Sequence, residues 1–159
     1  MSPPKVTLGM STAPTQTTKR FRQPMEIRRV DVSKLFDKLP PHAIEAECAL
    51  LGSMILDWRV CGEVIQVLKG AEELYKPAHA AIYETLVELY DQVQSIDMVQ
   101  LKQRMEDKGQ LEQVGGLDYL IELAESVPSA ASAMYYANIV REKSALRKLI
   151  ESAGRILDD

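Results

Sequence analysis

Apolar side chains recur at three- and four-residue steps along the last third of the chain. This spacing places them on one face of an α-helix and predicts a single long helix over residues 126–157. Pro128 and Ser129 mark its start, because Pro disfavours helix at the preceding residue and Ser can accept a backbone N–H as N-cap. The apolar stripe consists of Tyr136, Ile139, Val140, Leu146, Leu149, Ile150, Ala153 and Ile156.

The length of this predicted helix is its second notable feature. At 1.5 Å per residue it would extend about 45 Å, which is more than the width of a small domain. We therefore expect part of the stripe to contact a neighbouring helical hairpin or another chain.

The middle of the chain carries further stripes with helical spacing, and no segment alternates convincingly as a strand would. In the first of these helices Gly52 indicates a close approach of another helix. The pattern predicts an all-α fold in which a small helical globule, residues 39–112, is followed by an antiparallel helical hairpin, residues 113–157. The residues expected to line the first stripe are Ile44, Cys48, Leu51 and Ile55, and the expected helix starts and stops are Pro40, Pro41, Asp57, Gly70, Pro77, Asp97 and Gly109.

Residues 1–38 differ from the rest in composition, being rich in Pro, Thr, Ser and Gln. Such a segment buries too little apolar surface to offset its ordering entropy, so we expect a disordered tail. Within it, residues 30–36 (VDVSKLF) are the part most suited to fold on a partner. The basic side chains of the tail are either solvated or contact nucleic acid or an acidic neighbour.

Charge is unevenly distributed between the tail and the remainder. Residues 1–38 contain eight Lys or Arg and three acidic residues, whereas the remaining chain contains 11 basic and 20 acidic ones. An acidic body is a poor non-specific binder of phosphate backbones, so it favours a protein partner. The alternative is a nucleic-acid-binding helical regulator that uses its basic N-terminal tail.

The sequence contains few candidate catalytic or metal-binding residues. Cys48 and Cys61 lie on apolar stripes and are expected to be buried thiols, and His79 is expected to be a hydrogen-bonded core or edge histidine. The carboxylates are expected on solvated helix faces. There is no GxxxxGK[ST] motif for phosphate binding and no metal-ligand spacing, so we expect no catalytic, metal or cofactor site in this chain. Without a signal peptide or an apolar run of about 20 residues, a soluble cytoplasmic protein is expected.

Four segments, in order and at matching separations, resemble the N-terminal domain of the bacterial replicative DNA helicase, the DnaB family. The resemblance covers about residues 39–157, with small departures at Cys48, where the family commonly has Gln, and at Gln100, where Thr is usual. The segments are LPPHAIEAECALLGSMILD, LYKPAHAAIYETLVELY, SIDMVQLKQRMEDKGQLEQVGGLDYL and VPSAASAMYYANIVREKSALRKLI.

The resemblance implies a non-catalytic collar domain of a helicase that acts in chromosome replication at the bacterial nucleoid. In that family, hairpins pair between subunits to give a ring built as a trimer of dimers, and primase or a helicase loader docks on the collar. The family's full-length protein is an ATP-dependent 5′–3′ DNA helicase whose linker and RecA-like motor domain bind ATP and Mg²⁺. This chain is therefore expected to be a fragment that ends where the linker would begin.

The residue pattern and the family resemblance both indicate that the hairpin is the surface that binds a partner. For any one residue, two alternatives stay open: contact with a partner, or packing within the chain against Leu117, Leu120 and Ile121. The candidate interface residues are Tyr135, Tyr136, Ile139, Val140, Leu146 and Ile150.

Overall fold

The computed structural model describes residues 2, 4, 39–93 and 95–158, and these described residues contain helices and no strand. This confirms the all-α fold class. The predicted tail, including residues 30–36, lies outside the described residues apart from Ser2 and Pro4. The α-helices are α1 (Ile44–Leu56), α2 (Cys61–Val67), α3 (Pro77–Val93), α4 (Met98–Asp107), α5 (Leu111–Val114), α6 (Gly116–Glu125) and α7 (Ala133–Asp158), with short 3-10 turns at Trp58–Val60 and Ala71–Glu73.

Helix α1 is the centre of the fold, since α3, α6 and α7 all pack against it. Its inward face is formed by Leu50, Leu51 and Met54, none of which exposes any surface. The predicted stripe is therefore rotated: Leu51 and Ile55 are buried as expected, whereas Ile44 and Cys48 are only half-buried.

Gly52 in α1 explains how closely α6 can approach. A Cβ atom at this position would overlap the carbonyl oxygen of Leu123, and it would also reach the Ser126 hydroxyl at 3.0 Å. The missing side chain lets the two backbones meet, as the sequence predicts. The Ser126 hydroxyl also donates a hydrogen bond to the Leu123 carbonyl at 2.6 Å, which closes the end of α6.

The ends of the middle helices follow the sequence signals in part: Asp97 and Gly109 act as predicted, whereas Asp57 caps the 3-10 turn Trp58–Val60 instead of α2, and α2 ends at Val67, before Gly70. Asp57 accepts from the Arg59 backbone N–H at 3.1 Å, and Asp97 caps α4 by accepting from the Gln100 N–H at 2.8 Å. Gly109, after α4, has a positive φ of 67°, which glycine adopts without steric cost. These contacts fix where the chain turns between helices.

One hydrophobic core joins the two predicted subdomains. Leu120 and Leu123 of α6, and Ala137 and Val140 of α7, belong to the same buried cluster as the side chains of α1 and α3. Both α6 and α7 make their main contacts with α1, and α7 also packs on α2. The boundary placed between residues 112 and 113 therefore does not separate two cores. The last two helices are held mainly by the globule, not mainly by each other.

Candidate interaction surface on the last helix

Helix α7 begins later than predicted. The Ser129 hydroxyl accepts a hydrogen bond from the Ala131 N–H at 3.3 Å, but this contact lies in the turn before the helix. The first helical residue is Ala133, whose N–H bonds the Ala130 carbonyl at 3.1 Å. Pro128 thus ends the preceding segment, and several turn residues separate it from α7.

The first half of α7 is buried in its own protomer. Its inward residues follow one another at steps of four, three and four, and each is at most 2% exposed. Three of the four are small, so the helix can lie close to its neighbours α1 and α2. The inward residues are Ala133, Ala137, Val140 and Ser144.

Arg147 ties the middle of α7 to the globule. Its Nη1 donates to the Pro41 carbonyl at 2.8 Å and its Nη2 to the Glu73 carbonyl at 2.7 Å. The guanidinium also lies over the ring of Tyr75, 5.6 Å from the ring centroid. Lys148 adds a longer ion pair with the Glu73 carboxylate at 3.8 Å. These contacts hold α7 against the globule just after Ser144, the last of the four inward residues.

From Leu146 onward, four of the five large apolar side chains of α7 are exposed, and the fifth, Ile150, is half-buried. Leu146 is 44% exposed, Leu149 65%, Ile156 75% and Leu157 59%. At 100° per residue, Leu149 lies half a turn around the helix from Val140, so these side chains face away from the core. We call Leu146, Leu149, Ile156 and Leu157 the exposed stripe.

The residues predicted to form an interface divide between the core and this surface. Val140 belongs to the core at 2% exposure, and Tyr136 and Ile139 are half-buried against it. Tyr135 is 66% exposed, Leu146 belongs to the exposed stripe, and Ile150 is half-buried beside it. Their role in binding a partner stays a prediction. Leu149, Ile156 and Leu157 are more exposed than most of the residues chosen, and their spacing relative to Val140 could have identified them.

The structure corrects the expectation that all carboxylates lie on solvated faces. Glu47 is 1% exposed and accepts a hydrogen bond from Nδ1 of His79 at 2.7 Å, as well as from the backbone N–H groups of Tyr75 and Lys76. The other ring nitrogen of His79 lies 2.6 Å from the Tyr119 hydroxyl. The fully buried His79 is thus the hydrogen-bonded core histidine that was predicted.

This buried polar cluster joins α1, α3 and α6 through side chains that satisfy one another. Burial raises the pKa of the Tyr119 hydroxyl and of the half-buried Cys48 thiol, whose sulfur lies 3.7 Å from His79. Cys61 is fully buried, and burial raises its pKa to about 12. Protonated thiols are weak nucleophiles, so these groups serve packing. Within the described part of the chain, no group of three or more His, Cys, Asp or Glu could hold a metal ion.

Among the helices of residues 39–93 and 95–158, none combines the length and the apolarity that crossing a bilayer requires.

Comparison with known proteins points to one family. The profile of the DnaB-like helicase N terminal domain matches residues 39–142. The replicative DNA helicase DnaB of Geobacillus stearothermophilus is 40% identical over 129 residues, which are 80% of this chain and 28% of that protein. The replicative DNA helicase DnaC of Bacillus subtilis is 41% identical over 125 residues, 79% of this chain and 27% of that protein.

A solved structure agrees in fold. The crystal structure of the N-terminal domain of DnaB helicase from Mycobacterium tuberculosis superposes with a TM-score of 0.73 at 36% identity, covering 76% of this chain and 83% of that one. The chain spans little more than a quarter of the length of the two full-length relatives. Since the family profile matches most of the chain and its fold is shared, the chain belongs to the family of DnaB-like helicase N-terminal domains.

Proposed function

We propose that this chain is the non-catalytic collar domain of a replicative DNA helicase, and that it mediates ring assembly and docking of primase or a helicase loader. The observation that carries the proposal is the exposed stripe on the second half of α7, where four large apolar side chains are 44–75% exposed. Several large apolar side chains exposed on one face of a helix are typical of a protein interface.

The electrostatics of the body support a protein partner over DNA. Residues 39–159 carry 20 acidic and 11 basic side chains, so this part of the chain would repel a phosphate backbone. In the full-length helicase, we assign DNA translocation, ATP and Mg²⁺ to a RecA-like motor domain. We place the protein in the bacterial cytoplasm, at the nucleoid.

The division of α7 into two halves suits an assembly role. The first half and the Arg147 contacts fix the direction of the helix relative to the globule. The second half presents apolar side chains on that rigid support. A prearranged apolar face loses little conformational entropy on binding, which favours stable docking.

The test is binding of the 159-residue chain to the helicase-binding C-terminal domain of a primase, measured by calorimetric titration alongside light scattering of the chain alone. Leu146→Asp and Ile150→Asp place a charge at the stripe and beside it. We expect each to weaken primase binding or self-association at least tenfold, equivalent to about 1.4 kcal/mol. Ser152→Asp, which adds the same charge at an exposed polar position of α7, is the control.

The proposal would be contradicted if Leu146→Asp and Ile150→Asp are folded and both keep the primase affinity and the oligomeric state of the unmodified chain. A chain that is monomeric at every concentration and does not bind primase would contradict it equally.

A further inference from the structure

A groove lies between the start of α1 and the first half of α7, on a different part of the molecule from the exposed stripe. Its volume is about 590 Å³, within the range of pockets that hold ligands or peptide side chains. The floor is mainly apolar, with Ala46 and Ala49 from α1 and Tyr136 and Ile139 from α7. Glu45 on the rim is exposed and acidic.

The chain leaves the described globule directly beside this groove. His42 lines it, and residues 40–42 are held in place by several contacts. Nδ1 of His42 lies 2.6 Å from the Pro40 carbonyl, the His42 ring stacks on Tyr75 at 4.6 Å, and Arg147 binds the Pro41 carbonyl at 2.8 Å. The point at which the N-terminal segment joins the body is therefore fixed next to an open apolar surface.

We propose that residues 30–36 of this same chain fold back and occupy the groove. The segment VDVSKLF places Val32, Leu35 and Phe36 at positions i, i+3 and i+4, which is one face of a helical turn. Lys34 and the basic residues before the segment complement Glu45 and the acidic body. The segment itself carries Asp31 as well as Lys34, so it offers mainly its apolar face to the groove, and Arg28 and Arg29 before it bring positive charge toward the acidic body.

The connection is long enough for this reversal. Residues 37–39, which separate the segment from the fixed residues 40–42, can span up to about 11 Å when extended, at about 3.3–3.6 Å per residue. A short connection also gives an effective concentration of the order of 1 mM, so an intrinsic dissociation constant of about 0.1 mM would dock roughly ten molecules for each undocked one. Weak contacts between three apolar side chains and the groove are then sufficient.

Docking would cover Tyr136 and Ile139, two of the residues predicted to contact a partner. The segment and a partner protein would then compete for this part of α7. The proposal itself does not rest on the proposed function, because it concerns a contact within one chain.

The test is ¹⁵N NMR of the 159-residue chain. In Leu35→Asp/Phe36→Asp, we expect the amide signals of Ala46, Ala49 and Ile139 to move, because the segment leaves the groove. Val6→Asp/Leu8→Asp, which adds the same two charges elsewhere in the N-terminal segment, is the control and is expected to leave those signals in place. Groove signals that are unchanged in the first variant, or that move equally in both, would overturn the proposal.

A reciprocal variant tests the groove side. Ala49→Phe fills the floor and is expected to shift the amide signals of residues 32–36, whereas Ala131→Phe, at an exposed position outside the groove, is expected to leave them in place. Unaffected signals for residues 32–36 in Ala49→Phe would argue against docking.

Dilution separates docking within a chain from exchange between two copies. Groove signals that stay constant over a tenfold dilution support the intramolecular contact. Signals that move on dilution toward those of Leu35→Asp/Phe36→Asp would show that the segment binds a second copy, and this result would overturn the proposal. Leu149→Asp leaves the groove intact, so failure of the stripe as an interface is distinguishable from failure of this proposal.

Discussion

The two halves of α7 have similar apolar content but different surroundings. In the first half, small residues and Val140 are enclosed by α1 and α2 within the protomer. In the second half, Leu149 and Ile156 are among the most exposed large apolar side chains of the described residues. Apolar residues at helical spacing therefore identify a helix. Their angular position around the helix axis decides whether they pack in the core of one chain or face outward, where they can contact a second chain.

The largest expected effect compares Val140→Asp with Leu149→Asp. Val140 is enclosed, so an aspartate there would be a buried unpaired charge, and we expect unfolding to become easier by about 4 kcal/mol or more. Leu149 is exposed, so the same change is expected to alter stability by less than about 0.5 kcal/mol. Urea denaturation of both variants measures the contrast. Equal losses of stability would contradict the division of α7.

A second comparison concerns two carboxylates that accept side-chain hydrogen bonds, Glu47 in the core and Glu151 on the exposed half of α7. Glu47 and His79 are buried and 2.7 Å apart, so Glu47→Ala leaves a histidine and two backbone N–H groups without their acceptor and is expected to cost about 3 kcal/mol. Glu151 and Arg155 are also 2.7 Å apart but exposed, so Glu151→Ala is expected to cost about 0.5 kcal/mol or less. Thermal and urea unfolding of the two variants test this, and a similar cost in both would show that burial is not decisive.

Gly52→Ala tests the packing between α1 and α6. Alanine favours helix by about 1 kcal/mol over glycine, so an exposed site would be stabilised. At Gly52 the new methyl group would overlap the Leu123 carbonyl oxygen, a backbone atom that cannot move away freely. We expect a net destabilisation of about 2 kcal/mol, as is typical of overpacked sites. An increase in the unfolding free energy would refute the close approach.

The smallest predicted effect is a loss of stability at alkaline pH that originates in the buried thiol of Cys61. Burial raises the pKa of Cys61 from 9.0 to about 12, so the folded state keeps the thiol protonated while the unfolded state ionises. The contribution is fully present below pH 9 and falls by roughly 1.4 kcal/mol per pH unit above it, until the folded thiol titrates. Urea denaturation at pH 8 and pH 10 measures this slope.

Cys61→Ala provides the control for the alkaline effect. The variant is expected to be less stable at pH 8, because it leaves a cavity, and to show a smaller decline between pH 8 and pH 10. An identical decline in both proteins would assign the pH dependence to other groups.

Much of the fold could be predicted from local signals. Asp97 caps α4 where its side chain indicated, Gly109 ends α4, and Gly52 marks the close approach of α6. Each of these depends on a few residues near one another in sequence. The all-α class follows from the same signals.

The arrangement of α7 was harder to predict, because it depends on which helix receives it. The stripe chosen from large apolar residues combined two faces, since Val140 and Leu149 lie half a turn apart. The inward face is completed by Ala133, Ala137 and Ser144, whose small size gives little hydrophobic signal. The partners of Glu47 were missed because they are distant in sequence: Tyr75, Lys76 and His79 lie 28, 29 and 32 positions further along the chain.

The central claim is that the outward half of α7 is an interface between copies of this chain. Sedimentation equilibrium of the 159-residue chain and of Leu149→Asp/Ile156→Asp tests it most directly, with Ser152→Asp as the control. We predict that the unmodified chain and the control self-associate in the same way as concentration rises, and that the double variant stays monomeric while remaining folded. A double variant that associates like the unmodified chain, or an unmodified chain that is monomeric throughout, would contradict the claim.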